Sequence, residues 1–177
     1  MSAKIFNNED YNSPDGMMTS IWGPPMWHTL HTISFNYPVK PTKEDKINYY
    51  NFFISLKNIL PCKYCRDNLK NNLKKNPLNS KVFKSRETLS KWVYLLHEKI
   101  NSLLNKKSNL TYDQVRDRYE NFRSRCLNNN EITKIKELGC TKSLYGVKSK
   151  CIINIVPKSS SLKTFNMDKK CIIKKGL

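Results

Sequence analysis

Residues 85–107, SRETLSKWVYLLHEKINSLLNKK, hold the strongest helical period in this 177-residue chain. Leu89, Trp92, Val93, Leu96, Ile100, Leu103 and Leu104 recur at spacings of three and four, the mark of one apolar helix face. His97 lies beside that stripe, and no Gly or Pro breaks it. A helix with one apolar stripe needs partners of the same kind, and the flanking segments supply them.

Downstream, LTYDQVRDRYENFRSRC (110–126) opens with Thr111 and Gln114 in capping-box spacing, and Val115, Tyr119, Phe122 and Cys126 share a face. Upstream, CKYCRDNLKNNLKKN (62–76) puts Cys65, Leu69 and Leu73 at i, i+4 and i+8. Before it, PTKEDKINYYNFFISLKNIL (41–60) has Thr42 as N-cap with Asp45 three residues on, and Ile47, Tyr50, Phe53 and Ile54 as its predicted apolar face. Earliest is PPMWHTLHTISFNYP (24–38), in which Pro24 and Pro25 suit a first helical turn. Trp27, Leu30, His31, Ser34 and Phe35 fall on one face of that helix, and Pro38 and Pro41 end it. Residues 76–84 read as a loop. Five helical segments and only five glycines predict an all-α fold.

The ends differ from this middle. Residues 1–20 are polar, with turn residues at SPDG, and read as a flexible lead-in. Residues 127–177 have no Trp and no sustained period. They carry eleven lysines against Glu131, Glu137 and Asp168, a net charge of +8. An echo, KSKCII (148–153) and DKKCII (168–173), suggests two short strands with cysteines in register, joined across the linker-like PKSSSLK (157–163). The expected organisation is therefore a lead-in (1–20), a helical domain (21–126) and a basic appendage with Cys140, Cys151 and Cys171 (127–177).

The chain carries a net charge of +18, which favours acidic partners. The excess is mostly dispersed lysine, a solvated surface, and no RNP, zinc-finger or helix-turn-helix pattern accompanies it, so nucleic-acid binding is not expected. No stretch approaches the roughly 18 apolar residues of a membrane span, and the start of the chain has no signal-peptide pattern. A soluble, cytosolic protein is expected, with no membrane partner. Six cysteines in that setting favour redox or metal chemistry over a secreted disulfide scaffold.

The chemistry concentrates at ILPCKYCRDNL (59–69). A thiol at a helix N-terminus feels the positive end of the helix dipole, and Lys63 and Arg66 are cationic neighbours. A low-pKa thiol is the nucleophile of disulfide exchange. Other uses are open on spacing alone. Cys62 and Cys65 could be a structural staple, half of a thioredoxin-like motif, or two zinc ligands joined by His28 and His31. Zinc wants four ligands, however, and there is no second CxxC.

Taken together, WGPPMWHTLHTISFNYP (22–38), LPCKYCRDNL (60–69) and WVYLLHEKINSLLNK (92–106) resemble, in order and separation, the Erv/ALR family of FAD-linked sulfhydryl oxidases. The family pattern reads G-x-x-x-W-x-x-L-H-x-x-x-x-x-Y-P, then Y-P-C-x-x-C, then W-x-x-x-x-H-N-x-V-N-x-x-L-G-K. The chain departs from it at Leu60 for Tyr, Glu98 for Asn, Ile100 for Val, Asn105 for Gly, and Pro24 for a common Arg. The resemblance implies a four-helix bundle with a short fifth helix, FAD as cofactor, and a homodimer formed through the first two helices. It implies that Cys62 and Cys65 are the redox pair, with Cys65 beside the flavin and Cys62 open to substrate thiolates.

It further implies FAD contacts from Trp27, His31, His97 and Asn101, with Ile100 and Lys106 as added candidates. Cys140, Cys151 and Cys171 become candidates for a shuttle pair, as Cys140–Cys151 or Cys151–Cys171. A disulfide joining the last two helices, common in cellular members, is not expected, because only Cys126 is available for it. The implied activity converts protein thiols and dioxygen to disulfides and hydrogen peroxide, with no metal. The Lys/Asn/Ile-rich composition matches a large-DNA-virus member working in host cytoplasm or virion. The alternative class is a basic zinc or nucleic-acid module without flavin.

Overall fold

The computed structural model describes residues 7–125, 139–144, 152–154, 156, 159–162 and 165–166. It is all-α apart from four two-residue strands: α1 (Asn8–Asn12), α2 (Thr19–Asn36), α3 (Lys43–Ile59), α4 (Lys63–Lys75), α5 (Arg86–Leu103), α6 (Tyr112–Glu120), β1 (Ser124–Arg125), β2 (Lys142–Ser143), β3 (Ile152–Ile153) and β4 (Phe165–Asn166). The described residues form two compact units. One takes the chain up to Met26 together with Tyr37–Leu89, and the other takes Trp27–Asn36 with the residues from Ser90 onward.

In the first unit the helix starts are written locally. Thr42 and Asp45 form a complete capping box on α3, and Asn7 and Asp10 do the same on α1. Helix α2 begins at Thr19, five residues ahead of its prolines, rather than at them. Proline lacks the N–H of an interior turn. The turn ahead of Pro24 is held instead by Ile21 N–H and Trp22 N–H on the Met18 carbonyl and by Trp22 Nε1 on the Met17 carbonyl (3.0 Å).

Helix α3 packs on α4, but not through the whole predicted face. Phe53 and Leu56 are buried, whereas Ile47 and Tyr50 are exposed. Apolar residues lie on several sides of α3, and periodicity alone does not say which side a neighbour covers. Leu69 of α4, Leu78 and Phe83 of the loop, and Leu89 complete the core. Tyr37 sits at its centre, fully buried, with its hydroxyl donating to the Phe83 carbonyl (3.0 Å) and its ring against Tyr49. Burial, with Asp45 and Tyr49 adding to it, pushes its phenol up to about 12.

In the second unit, Trp92, Val93 and Leu96 of α5 are buried with Leu30, Phe35 and Val115. The α5 stripe ends there, since Leu103 and Leu104 are exposed. Phe35 stacks on Tyr119 of α6 at 5.3 Å and 6°. Thr111 and Gln114 close the predicted capping box on α6. Strands β1 and β2 pair antiparallel, with Ser124 opposite Ser143. Strand β3, from the first copy of the KSKCII/DKKCII echo, pairs with Phe165–Asn166. The second copy lies outside the described residues.

The C-terminus of α5 explains one departure from the family pattern. Asn105 has φ +53°, Lys106 N–H bonds to the Asn101 carbonyl (2.8 Å) and Asn105 N–H to the Ser102 carbonyl (3.2 Å). This is a Schellman close, which needs a left-handed residue. Glycine serves best there, and asparagine is the usual substitute.

Truncation of the fully buried Leu89 to Ala should lower unfolding free energy by about 2–5 kcal/mol. Removal of the α3 cap by Thr42→Ala should cost about 1 kcal/mol. Urea unfolding followed by far-UV circular dichroism measures both, and equal losses would contradict this division between core and cap.

Candidate active site

The residues singled out from sequence fall into two groups, one in each unit. The first is the cysteine pair. Pro61 ends the α3–α4 turn, and Cys62 takes extended backbone (φ −157°, ψ 122°) as the N-cap of α4. Its sulfur accepts the Cys65 backbone N–H at 3.2 Å. Ser, Thr, Asp or Asn usually fills this role. Here a thiol fills it, so the helix end favours negative charge on that sulfur.

Both cysteines are unbridged, and Cys62, expected as the open sulfur, is buried, whereas Cys65 is half-buried. Their acidities diverge. Burial works to raise the Cys62 thiol, but hydrogen bonds from the Cys65 side chain and backbone and from Thr19 outweigh it and hold the thiol below its ordinary value. Burial, and next the bond to Cys62, pushes Cys65 up to about 11. Of the two thiols, Cys62 is therefore the one that ionises first and Cys65 the one that keeps its proton longer.

The second group is aromatic. Trp27 and His97 stack face to face, with ring centroids 4.0 Å apart and planes within 4°. His31 Nε2 and His97 Nδ1 are 3.0 Å apart. Tyr119 stacks on His31 at 5.1 Å, and its hydroxyl meets His28 Nδ1 at 3.2 Å. From the sequence, Tyr119 carried only the spacing signal of a residue on the α6 apolar face. Burial foremost, then His97 and His28, lowers His31 to about 3. Burial lowers His97 to about 4 against an opposing pull from Glu98. Both rings are neutral at physiological pH, so one ring must donate and the other accept between them.

The remaining predicted contacts vary. Asn101 spends one amide hydrogen on Glu98 Oε1 (3.1 Å), a bond that the family's Asn at position 98 would make differently. Ile100 is half-buried and Lys106 is exposed. Cys140 is disulfide-bonded, while Cys126, Cys151 and Cys171 lie outside the described residues. No three His, Cys, Asp or Glu residues group as metal ligands among the described residues.

The aromatic group fits a flavin on one specific observation. His31 Nδ1 is buried and has no hydrogen-bond partner. A buried polar atom left alone costs about 1–3 kcal/mol, and a polar edge of a bound cofactor would satisfy it. The neutral rings and the flat Trp27–His97 face suit a planar heteroaromatic group.

The chain matches the family model described as Erv1 / Alr family over residues 24–120. It is 43% identical over 94 residues to a "probable FAD-linked sulfhydryl oxidase" of Acanthamoeba polyphaga mimivirus, covering 53% of this chain. The chain thus spans 65% of that relative's length. It is 29% identical over 123 residues to a FAD-linked sulfhydryl oxidase of African swine fever virus, covering 70% of this chain and 98% of that one. Among solved structures, the FAD binding domain of Erv1 from Saccharomyces cerevisiae is similar at TM-score 0.53 and 26% identity, over 59% of this chain and 95% of that one. The yeast Erv1 core gives the same TM-score of 0.53 at 24% identity, a likeness of fold. With one family model matching more than half of its length, and with that fold, the chain belongs to the Erv1/Alr family.

Proposed function

We propose that the chain is a FAD-linked thiol oxidase that makes disulfides in protein substrates. The observation that carries this is the divided thiol pair at the α4 N-terminus, one sulfur capping the helix and made the more acidic, the other inside the first turn and made the less. A structural staple has no use for that division.

In the oxidised enzyme Cys62 and Cys65 are joined. A substrate thiolate attacks Cys62 Sγ, the S–S bond breaks, and its electron pair goes to Cys65 Sγ. A second substrate thiolate attacks the substrate sulfur of the mixed disulfide. The substrate leaves oxidised, and Cys62 keeps the second pair. The chain has then taken two electrons, and the two protons lost by the substrate go to the thiols or to solvent. FAD, when bound, supplies the two-electron acceptor that restores the disulfide, with dioxygen as final acceptor and hydrogen peroxide as product. Trp27, His31 and His97 would hold it, with Asn101, Ile100 and Lys106 beside them, and Cys65 would be the sulfur next to it.

The working unit would be a homodimer. The exposed apolar side chains of α3, Ile47 with Tyr50 on one side and Phe52 with Ile59 on another, would be partly covered in it. Among the described residues no helix is long and apolar enough to cross a membrane. With viral relatives at hand, host cytoplasm or virion is the proposed location. Cys151 and Cys171 stay as shuttle candidates. Cys140 would enter the relay as an existing disulfide rather than as a thiol. The helical domain would extend over 21–126, with 1–20 and 127–177 as its extensions.

The purified chain should carry a flavin absorption band at about one per chain and take up oxygen with dithiothreitol. Cys65→Ser should abolish the uptake and keep the band. A colourless chain that stays apo when FAD is added sinks the reading, and bound zinc would then favour the alternative class.

Acid should act through the histidine pair. Both folded values lie below the ordinary 6.5, so the unfolded chain takes protons first as pH falls. Stability contributed by the neutral pair is complete above pH 6.5 and declines as pH drops toward 4. Thermal melts across that window should show the decline, and His31→Phe should flatten it. A flat wild-type profile would refute the buried neutral pair.

A further inference from the structure

We propose that Thr19 is a positioning residue for the thiol pair, held at the two sulfurs by an N-terminal strap, Asp15–Met17. Its purpose rests on the thiol-oxidase reading above, whereas its geometry stands without it.

The strap runs antiparallel to Pro61–Lys63. Gly16 and Cys62 form an isolated bridge, Met17 N–H donates to the Pro61 carbonyl (2.6 Å), and Lys63 N–H donates to the Asp15 carbonyl (3.0 Å). Gly16 has φ +89°, and a Cβ there would lie 2.5 Å from the Pro61 oxygen. Only glycine takes that backbone and lets the strands approach so closely. Arg66 fastens the two segments with one guanidinium, Nη1 on the Leu60 carbonyl (2.6 Å) and Nη2 on the Pro14 carbonyl (3.3 Å). Trp22 Nε1 holds the Met17 carbonyl at 3.0 Å, so the strap passes directly into the start of α2.

The first residue of α2 is Thr19. Its hydroxyl lies 3.9 Å from Cys62 Sγ and 4.0 Å from Cys65 Sγ, within reach of a large sulfur acceptor. A hydroxyl has one hydrogen to give and lone pairs to receive. Thr19 can therefore turn its hydrogen to whichever sulfur carries the charge, while the one S–H of Cys65 is directed at Cys62. The same hydroxyl serves either sulfur as it becomes the leaving group. When Cys62 is attacked, the electron pair arrives on Cys65, 4.0 Å from the hydroxyl. When the mixed disulfide is resolved, the pair arrives on Cys62, 3.9 Å away.

Other charges on the packed segments do not replace it. Arg66 is turned onto two carbonyls, and Asp15, Lys63 and Asp67 are exposed. No motif spacing marks Thr19, which lies in the polar lead-in of the sequence.

The test is site-resolved alkylation of the reduced full chain with iodoacetamide across pH, read by peptide mass spectrometry at Cys62. Thr19→Val should raise the Cys62 midpoint by about half a unit to one unit, a roughly three- to tenfold loss of thiolate at neutral pH. Thr19→Ser should restore the wild-type midpoint. Should Thr19→Val fail to fold, Gly16→Ala, which lifts the strap, should give the same rise. An unmoved midpoint in the folded Val variant, or in Gly16→Ala in its place, overturns the proposal, as does an equal shift in the Ser variant. Flavin content and oxygen uptake are measured beside it. A shifted midpoint in a chain that binds no flavin keeps Thr19 and removes the oxidase reading. An active flavoenzyme with an unmoved midpoint does the reverse.

Discussion

The cap that Cys62 places on α4 governs the chemistry of the first unit. An N-cap residue must leave helical geometry and take extended backbone. Cys62 does so, and the same extended backbone lets it bridge to Gly16. One conformation thus does two things. It turns the sulfur back onto the Cys65 N–H, and it offers the flanking Pro61 carbonyl and Lys63 N–H sideways to a second strand. Two cysteines three positions apart on one helix would otherwise be near equals. Here one caps the helix and collects hydrogen bonds, the other sits inside its first turn and is raised foremost by burial, and their acidities separate.

The second unit applies the opposite electrostatics. His31 is buried between aromatic rings, and its hydrogen bond goes to another histidine rather than to a carboxylate. A carboxylate partner would favour the imidazolium, whereas a second imidazole does not. The Trp27–His97 stack gives a flat, uncharged surface, and beside it His31 is stacked by Tyr119, which Phe35 stacks in turn. Glu98 is the nearest acid by sequence, and its carboxylate is engaged by the Asn101 amide.

Legibility in the sequence followed the range of the interaction. Caps were legible because they are local: Thr42 with Asp45, and Thr111 with Gln114, close the boxes that their spacing announces. The α5 stripe was legible up to Leu96, while the exposure of Leu103 and Leu104 depends on where the neighbouring helices stop. The face of α3 was misread at Ile47 and Tyr50 for the same reason. Cys62, Cys65, Trp27, His31 and His97 were legible as an ordered constellation, not singly. Their partners were not: the Thr19 hydroxyl joins residues more than forty positions apart, and no period reports it. Asn105 looked like a departure from the family pattern, but its left-handed backbone shows it meeting the same demand with a different residue.

On the proposed thiol-oxidase reading, both units would serve one chemical requirement, that of moving an electron pair without stranding a charge. A thiol pair has to release a sulfur anion at every exchange, so its surroundings need donors that are already in place. The Cys65 N–H meets this without reorganisation, because helix α4 fixes it. The aromatic group of the second unit presents no titrating positive charge. Burial keeps the two histidines from supplying one. The first unit thus stabilises an anion at one chosen atom and the second refuses a cation over a whole surface. Each result follows from which backbone and ring atoms the helices bring together, not from the chain's large net charge, whose described lysines lie mostly in solvent.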